Sequence, residues 1–279
     1  FADEAEASAT TNSLFAYNTT DTASVNKAYI QYGRHLQNLD NASGVTSKIT
    51  EAIQQSDIHF EKRDDIDDST EGTKSWYSCY KDKTFIPITN ENLRSYISYN
   101  SSGDGNSSYP VIYHLTVKAQ AKAGLFATLA NEMSVENVRL SGTKITGVEN
   151  GSVESNSTAG AIAGETAGNA TITNCQVFLS SEDITGKTEN DYWISGAACQ
   201  GGLIGKTGGK VTISKSFAAT VMGTENAEFV GGLIGAAGGD VTINDSYADS
   251  YITGKVIGGL LATADGSVSV QSCYVAGYL

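Results

Sequence analysis

From residue 133 onward the chain repeats one alternation. Met133-Ser134-Val135, Ala170-Thr171-Ile172, Val211-Thr212-Ile213, Val241-Thr242-Ile243 and Val268-Ser269-Val270 each read apolar, hydroxyl, apolar. A period of two sends the apolar side chains to one face and the hydroxyls to the other, which predicts strands with one buried side. A second inward set follows: Val138 and Leu140, Cys175 and Val177, Ser216 and Ala218, Ser246 and Ala248, Cys273 and Val275. Three residues rather than two separate the sets, which predicts a bend between them. The outward positions form columns of their own. One holds Glu136, Thr173, Ser214, Asn244 and Gln271; the next holds Arg139, Gln176, Phe217, Tyr247 and Tyr274.

A glycine-rich phrase stands before each alternation: "AGLFATLANE" at Ala123, "AGAIAGETAGN" at Ala159, "GGLIGKTGG" at Gly201, "GGLIGAAGG" at Gly231 and "GGLLATADG" at Gly258. Aligned on Leu125, Ala161, Leu203, Leu233 and Leu260, the copies lie 36, 42, 30 and 27 residues apart, with one extra residue in the second before Ala170. A constant core with a variable connector marks a solenoid with insertions at its corners. The phrase predicts one buried strand, then a corner at Gly168, Gly209, Gly239 and Gly266, where the first copy has Asn131. Asparagine best replaces glycine at positive φ, so this column reads as a left-handed turn. A phosphate-binding loop would need a Lys-Ser/Thr pair and a following helix; here a strand follows.

The expected fold is therefore all-β, a right-handed parallel β-helix (β-solenoid) whose coils stack about 4.8 Å apart. "RHLQNL" within Gly33–Leu39 predicts a short helical N-terminal cap that shields the first coil from edge pairing. Residues 1–25 read as a polar tail or linker, 26–122 as the cap and first irregular coils, and 123–279 as repeats of the same solenoid.

Composition agrees with short strands and tight turns: 30 Gly and only 2 Pro. Eighteen basic against 31 acidic residues give a net charge of −13, which disfavours nucleic acid and anionic membranes and suits a solvated surface. No apolar run is long enough to cross a bilayer. The opening "FADEAEA" fits the tail of a small-residue export cleavage site, and the stop within repeated sequence predicts a fragment of a longer protein. Cys79, Cys175, Cys199 and Cys273 form no C-x-x-C and have no histidine at ligand spacing, so no metal site and no cofactor is expected. Cys175 and Cys273 share a column three repeats apart, about 14 Å by strand spacing, whereas a disulfide spans Cα atoms within about 7 Å. They should be unbonded, while Cys79 and Cys199 fall in connectors.

The phrases Gly202-Leu203-Ile204-Gly205 and Gly232-Leu233-Ile234-Gly235, with variant copies Gly160-Ala161-Ile162-Ala163 and Gly259-Leu260-Leu261-Ala262, resemble the GLUG-motif family of bacterial surface proteins. "GRHLQNL", a "QQSDIHF" strand, "FIPITN" and "YPVIYHLTV" resemble what precedes such repeats, so the likeness runs from about residue 27 onward. It implies an exported, cell-surface or wall-attached protein of adhesin type without known catalysis.

Function should then lie where the chain does not repeat. The connector Glu61–Thr84 carries Asp64–Asp68 and the aromatic residues Trp76, Tyr77 and Tyr80; Val148–Thr158 is polar; Lys187–Gln200 carries Tyr192 and Trp193. The last two leave the coils after matching Thr146-Gly147 and Thr185-Gly186 corners, which predicts one shared face for ligand-binding loops. The alternative is that these aromatics only pack their own loops. Asp64, Asp65, Asp67 and Asp68 lack the glycine and distal glutamate of a calcium loop. Phe217, Tyr247 and Tyr274 form an outward aromatic column, a candidate surface for a host or neighbouring-cell protein or glycan, or simply a stabilising stack. The rival class, a polysaccharide lyase or hydrolase, would need paired carboxylates or a base on neighbouring coils. The outward column from Glu136 to Gln271 holds one acid, so no catalytic residue is assigned. Ice binding would need Thr-x-Thr ladders, and only Thr171-x-Thr173 fits.

Overall fold

The computed structural model describes residues 26–41, 49–60, 84–99, 109–119, 121–147, 153–179 and 193–278. Among them stands one helix, α1 (Gly33–Asn41), and otherwise strands in four sheets of eight, eleven, five and five. The strands pair in parallel, repeat upon repeat, in a solenoid-like stack. The fourth repeat shows the path. Phe229–Gly231 and Ile234–Ala237 enter the two five-stranded sheets, Val241–Asn244 the eight-stranded sheet and Tyr247–Thr253 the eleven-stranded one.

The alternation is realised residue for residue. Ala170, Thr171, Ile172 and Thr173 lie between Met133–Glu136 and Val211–Ser214, which in turn lie beside Val241–Asn244 and Val268–Gln271. The inward members of the first four copies are at most 5% exposed. β-Branched Val and Ile suit this site because their restricted side chains pack well on a pleated surface. The bend also lies where the spacing placed it. Asn137, Asn174, Lys215, Asp245 and Ser272 occupy the left-handed region, with φ between 48° and 59°. Stacked corners, and not glycine, hold that conformation. The N–H of each of the first four bend residues donates to the next repeat, as Asn174 does to Ser214 O and Lys215 to Asn244 O.

Three expectations are corrected. First, Gly168, Gly209, Gly239 and Gly266 are not in the left-handed region. Their glycine is demanded by close approach of the preceding repeat, backbone at Gly209, Gly239 and Gly266 and the Asn131 side chain at Gly168. A Cβ on Gly209 would lie 2.6 Å from the Gly168 carbonyl carbon, and one on Gly266 the same distance from Gly239. Side chains brace this corner: Asn131 Oδ1 accepts from the Asn169 N–H, Asn169 Oδ1 from that of Lys210 and Asp240 Oδ1 from that of Ser267.

Second, the alignment of the second repeat slips by one. Gly160 pairs with Gly201 and Ala163 with Ile204, so Ile162, not Ala161, matches Leu203 and Gly164 matches Gly205. That register puts the larger side chain at the deep core site, where Ile162 is 0% exposed. The irregular copy is the first: Ala123 pairs with Ala159, yet Phe126 pairs with Ala163.

Third, the Gly-Gly-Leu-Ile phrase is a corner between strands Cys199–Gly201 and Ile204–Thr207, rather than one strand. A Cβ on Gly201 would meet Ile204 O at 2.0 Å, so the turn closes too tightly for any side chain. Likewise "QQSDIHF" divides into strands Glu51–Gln54 and Ile58–His59.

The helix α1 forms where "RHLQNL" predicted. It buries Leu36 and Leu39 beside strand Lys27–Ile30, the outermost strand of the eight-stranded sheet. Gln37 exchanges hydrogen bonds with Ile86 N and O, and Asn90 Nδ2 donates to Leu39 O, so the segment Phe85–Asn90 is tied to α1. Phe85 and Ile88 bridge to Val117 and Phe126 and close this end over buried Tyr96, whose hydroxyl donates to Gln54 Oε1.

Candidate functional site

The predicted aromatic column is built on the outer face of the eleven-stranded sheet. Gln176 pairs with Arg139 and Phe217, Phe217 with Tyr247 and Tyr247 with Tyr274. The rings of Phe217, Tyr247 and Tyr274 stack at 4.6 Å between centroids and 7° between planes at each step. Parallel register dictates this spacing, since adjacent strands lie about 4.8 Å apart. Phe178 extends the row with a tilted contact to Phe217 at 6.4 Å, and the Arg139 guanidinium lies 5.1 Å from its ring. That is an aromatic and cation–π row closed upon itself.

A second row stands four residues further along the same strands. Tyr251 pairs with Tyr278 and with Val221, which pairs with Trp193. Tyr251 and Tyr278 stack at 5.0 Å and are more than half exposed. Sequence reading missed these two tyrosines. The alternation Tyr247-x-Asp249-x-Tyr251 carries the signal, since positions i, i+2 and i+4 share a face of a strand. Trp193, expected in a connector, has its backbone in strand Trp193–Ser195; its side chain is outside the described residues. Cys199, also expected in a connector, starts strand Cys199–Gly201 and is buried. Trp76, Tyr77, Tyr80 and Tyr192, Asp64 to Asp68, Cys79 and the Thr185-Gly186 corner lie outside the described residues.

Ring geometry limits what the rows can bind. Tyr247 is stacked on both faces by Phe217 and Tyr274, so a sugar cannot lie on its ring. The rows offer ring edges and hydroxyls along their length. Burial raises the Tyr247 phenol above its ordinary range, with the neighbouring Tyr274, Asp249 and a hydrogen bond to Tyr274 acting in the same direction. It therefore stays a neutral donor and acceptor at physiological pH.

Elsewhere the polar groups are held structurally. Glu136 accepts from the Ser134 hydroxyl at 2.8 Å, and the Thr173 and Ser214 hydroxyls lie 3.3 Å apart. Lys122 pairs with Glu165 and donates to Thr128. Cys175, Cys199 and Cys273 are free. Burial pushes the Cys175 thiol up to about 12 and raises that of Cys199, which removes both as nucleophiles near neutrality. His35 is buried and its pKa falls to about 3, through burial first and the Arg34 charge second; its Nδ1 accepts from the Gln31 N–H. His59 stacks on Tyr113 at 4.5 Å. Among the described residues no group of three His, Cys, Asp or Glu converges to hold a metal, and no helix is long and apolar enough to cross a membrane.

No protein-family model matches the chain, and no curated protein matches it. Among solved structures, a Bacteroides ovatus protein described as a "putative immunoglobulin A1 protease" is similar, with 15% identity and a TM-score of 0.48 over 95% of this chain and 79% of that one.

Proposed function

We propose that this chain is a right-handed parallel β-helix module of an exported bacterial surface protein. It acts as a rigid stalk or adhesin element and presents non-repeating loops to a protein or glycan of a host or neighbouring cell. The observation that supports this reading is the parallel stacking of the repeats, the first four of which share one continuous apolar core. Such a frame spends its sequence on rigidity and leaves recognition to the segments that vary, as repeat proteins commonly do. The likeness of Gly202–Gly205 and Gly232–Gly235 to surface-protein repeats points the same way. Cleavage of a polysaccharide needs two convergent carboxylates or a base beside the bond. The outward column Glu136, Thr173, Ser214, Asn244 and Gln271 supplies one acid along its length, which favours binding over turnover.

The test is a glycan and protein array probed with the 279-residue chain. Binding should fall at least about tenfold, roughly 1.4 kcal/mol, when Trp76, Tyr77 and Tyr80 are replaced by Ala, and should survive Phe217→Ala. Release of reducing ends from any bound polysaccharide would overturn the noncatalytic reading. Binding that is lost with Phe217→Ala but kept by the loop variant would move the site to the sheet face.

A further inference from the structure

The eleven-stranded sheet carries its charge unevenly. Its strands hold three cations, Lys118, Arg139 and Lys144, and one carboxylate, Asp249, in a protein with 18 basic and 31 acidic residues. The cations lie on two adjacent coils, in strands Thr116–Lys118, Arg139–Ser141 and Lys144–Thr146. Asp249 stands three strands from Arg139, about 14 Å by strand spacing. Pairing of Lys144 with Thr116 and of Thr146 with Lys118 sets the two lysines diagonally, with Cα atoms about 8 Å apart. Arg139 lies in the Tyr247 column and Lys144 in the Tyr251 column, four strand positions or about 13 Å away. The surplus residue of that step is taken up at Gly142, whose φ is 61°, so both side chains keep to the outer face. Lys118 is exposed, and Arg139 and Lys144 are half-buried. No described carboxylate pairs with any of the three; the ion pairs Lys27–Glu51 and Lys122–Glu165 stand on the other sheets. The Arg139 guanidinium is aimed by the Phe178 ring at 5.1 Å and by Tyr109 O at 3.4 Å, and its Nε has no hydrogen-bond partner among the described residues.

We propose that this patch binds an acidic polysaccharide, a linear chain that carries carboxylates or sulfates at intervals. Charge complementarity is the first ground. The patch is positive on a protein of net charge −13, so a polyanion is drawn to this face and repelled by the acidic remainder. Spacing is the second. Nucleic acid carries one charge per about 3.4 Å of each strand, far denser than cations about 8 and 13 Å apart. A glycan charged only at some of its rings fits the wider interval. The surroundings are the third. Thr116 and Thr146 share the lysines' columns, so sugar hydroxyls between the charges meet hydrogen-bonding groups of the protein. The planar fork of Arg139 suits the paired oxygens of such an anion. This partner class goes beyond the loop-borne binding proposed above and does not depend on it.

Titration of the 279-residue chain with labelled polygalacturonate, dextran sulfate and neutral dextran of equal length tests this. At least one acidic polymer should bind with a dissociation constant of about 100 µM or tighter at low salt, and more weakly as salt is raised. Neutral dextran should bind at least about tenfold more weakly. Which acidic polymer binds identifies the anionic group. Lys118→Gln with Lys144→Gln should reduce affinity at least about tenfold with an unchanged far-ultraviolet circular dichroism spectrum. Lys206→Gln with Lys210→Gln removes the same charge from exposed positions elsewhere on the coils and should change affinity less than about twofold. Equal losses in the two double variants, equal binding of neutral dextran, tighter binding of a single-stranded oligonucleotide than of either acidic glycan, or no binding overturns the inference. If the Lys118 and Lys144 double variant unfolds, Lys118→Gln alone decides: a loss of at least about threefold supports the site, and a smaller one overturns it. Replacing Trp76, Tyr77 and Tyr80 by Ala should leave this affinity unchanged, so the loop reading and this one fail separately.

Discussion

At the scale of single residues, contact with the neighbouring repeat matters more than local conformation. Gly209 has an ordinary backbone, yet a Cβ there would stand 2.6 Å from the Gly168 carbonyl carbon. Because the obstacle is backbone rather than a mobile side chain, Gly209→Ala should cost about 1–3 kcal/mol, read as a lower urea midpoint with unchanged slope. Lys215→Gly should be nearly neutral or mildly stabilising, because its φ of 52° is one glycine adopts freely. His35 sets a pH dependence. Its folded pKa, about 3, lies below the ordinary 6.5, so between those values the unfolded chain binds a proton that the folded chain refuses. Stability conferred by the neutral imidazole is complete above pH 6.5 and drains away as pH falls toward 3, by on the order of 3–5 kcal/mol. His35→Gln should flatten that part of the stability–pH curve relative to the unaltered protein, measured by denaturant titration at each pH.

At the scale of elements, identical strands differ by what covers them. Val241–Asn244 and Val268–Gln271 share one pattern and one register, but only the first is enclosed. Ile243→Ala should cost about 2–5 kcal/mol, whereas Val270→Ala in this 279-residue chain should cost under about 1 kcal/mol because its side chain is half in water already. Tyr247→Leu, which interrupts the aromatic stack while keeping bulk, should cost about 0.5–1.5 kcal/mol. Strand positions, inward columns and the bend were legible because a period of two and a three-residue step leave direct marks in the sequence. The Gly-Gly-Leu-Ile corner was not, since an apolar pair beside glycine reads equally well as strand. The register of the second repeat was hidden because Ala161 and Ile162 are both apolar, and only the pairing of Gly160 with Gly201 separates them.

At the scale of the molecule, each repeat touches mainly its neighbours, so stability should be distributed along the stack rather than concentrated in one nucleus. Native-state hydrogen exchange should find strongest protection in Val211–Ser214 and Val241–Asn244, flanked on both sides, and weaker protection toward Tyr274–Tyr278. Equal protection in all repeats would show a single cooperative unit instead. The sequence by itself determined the all-β repeat, the faces of its strands, the aromatic column through Phe217, Tyr247 and Tyr274, and a short helix over Arg34–Leu39. These depend on short-range periodicity, which any one repeat already carries. Only the tertiary structure decided that the glycine column answers to atoms one repeat away, that Tyr251 and Tyr278 form a second row, and that both faces of Tyr247 are spent on its neighbours. Each of those depends on which atoms lie across the stack, and distance between repeats is written nowhere in the spacing within one.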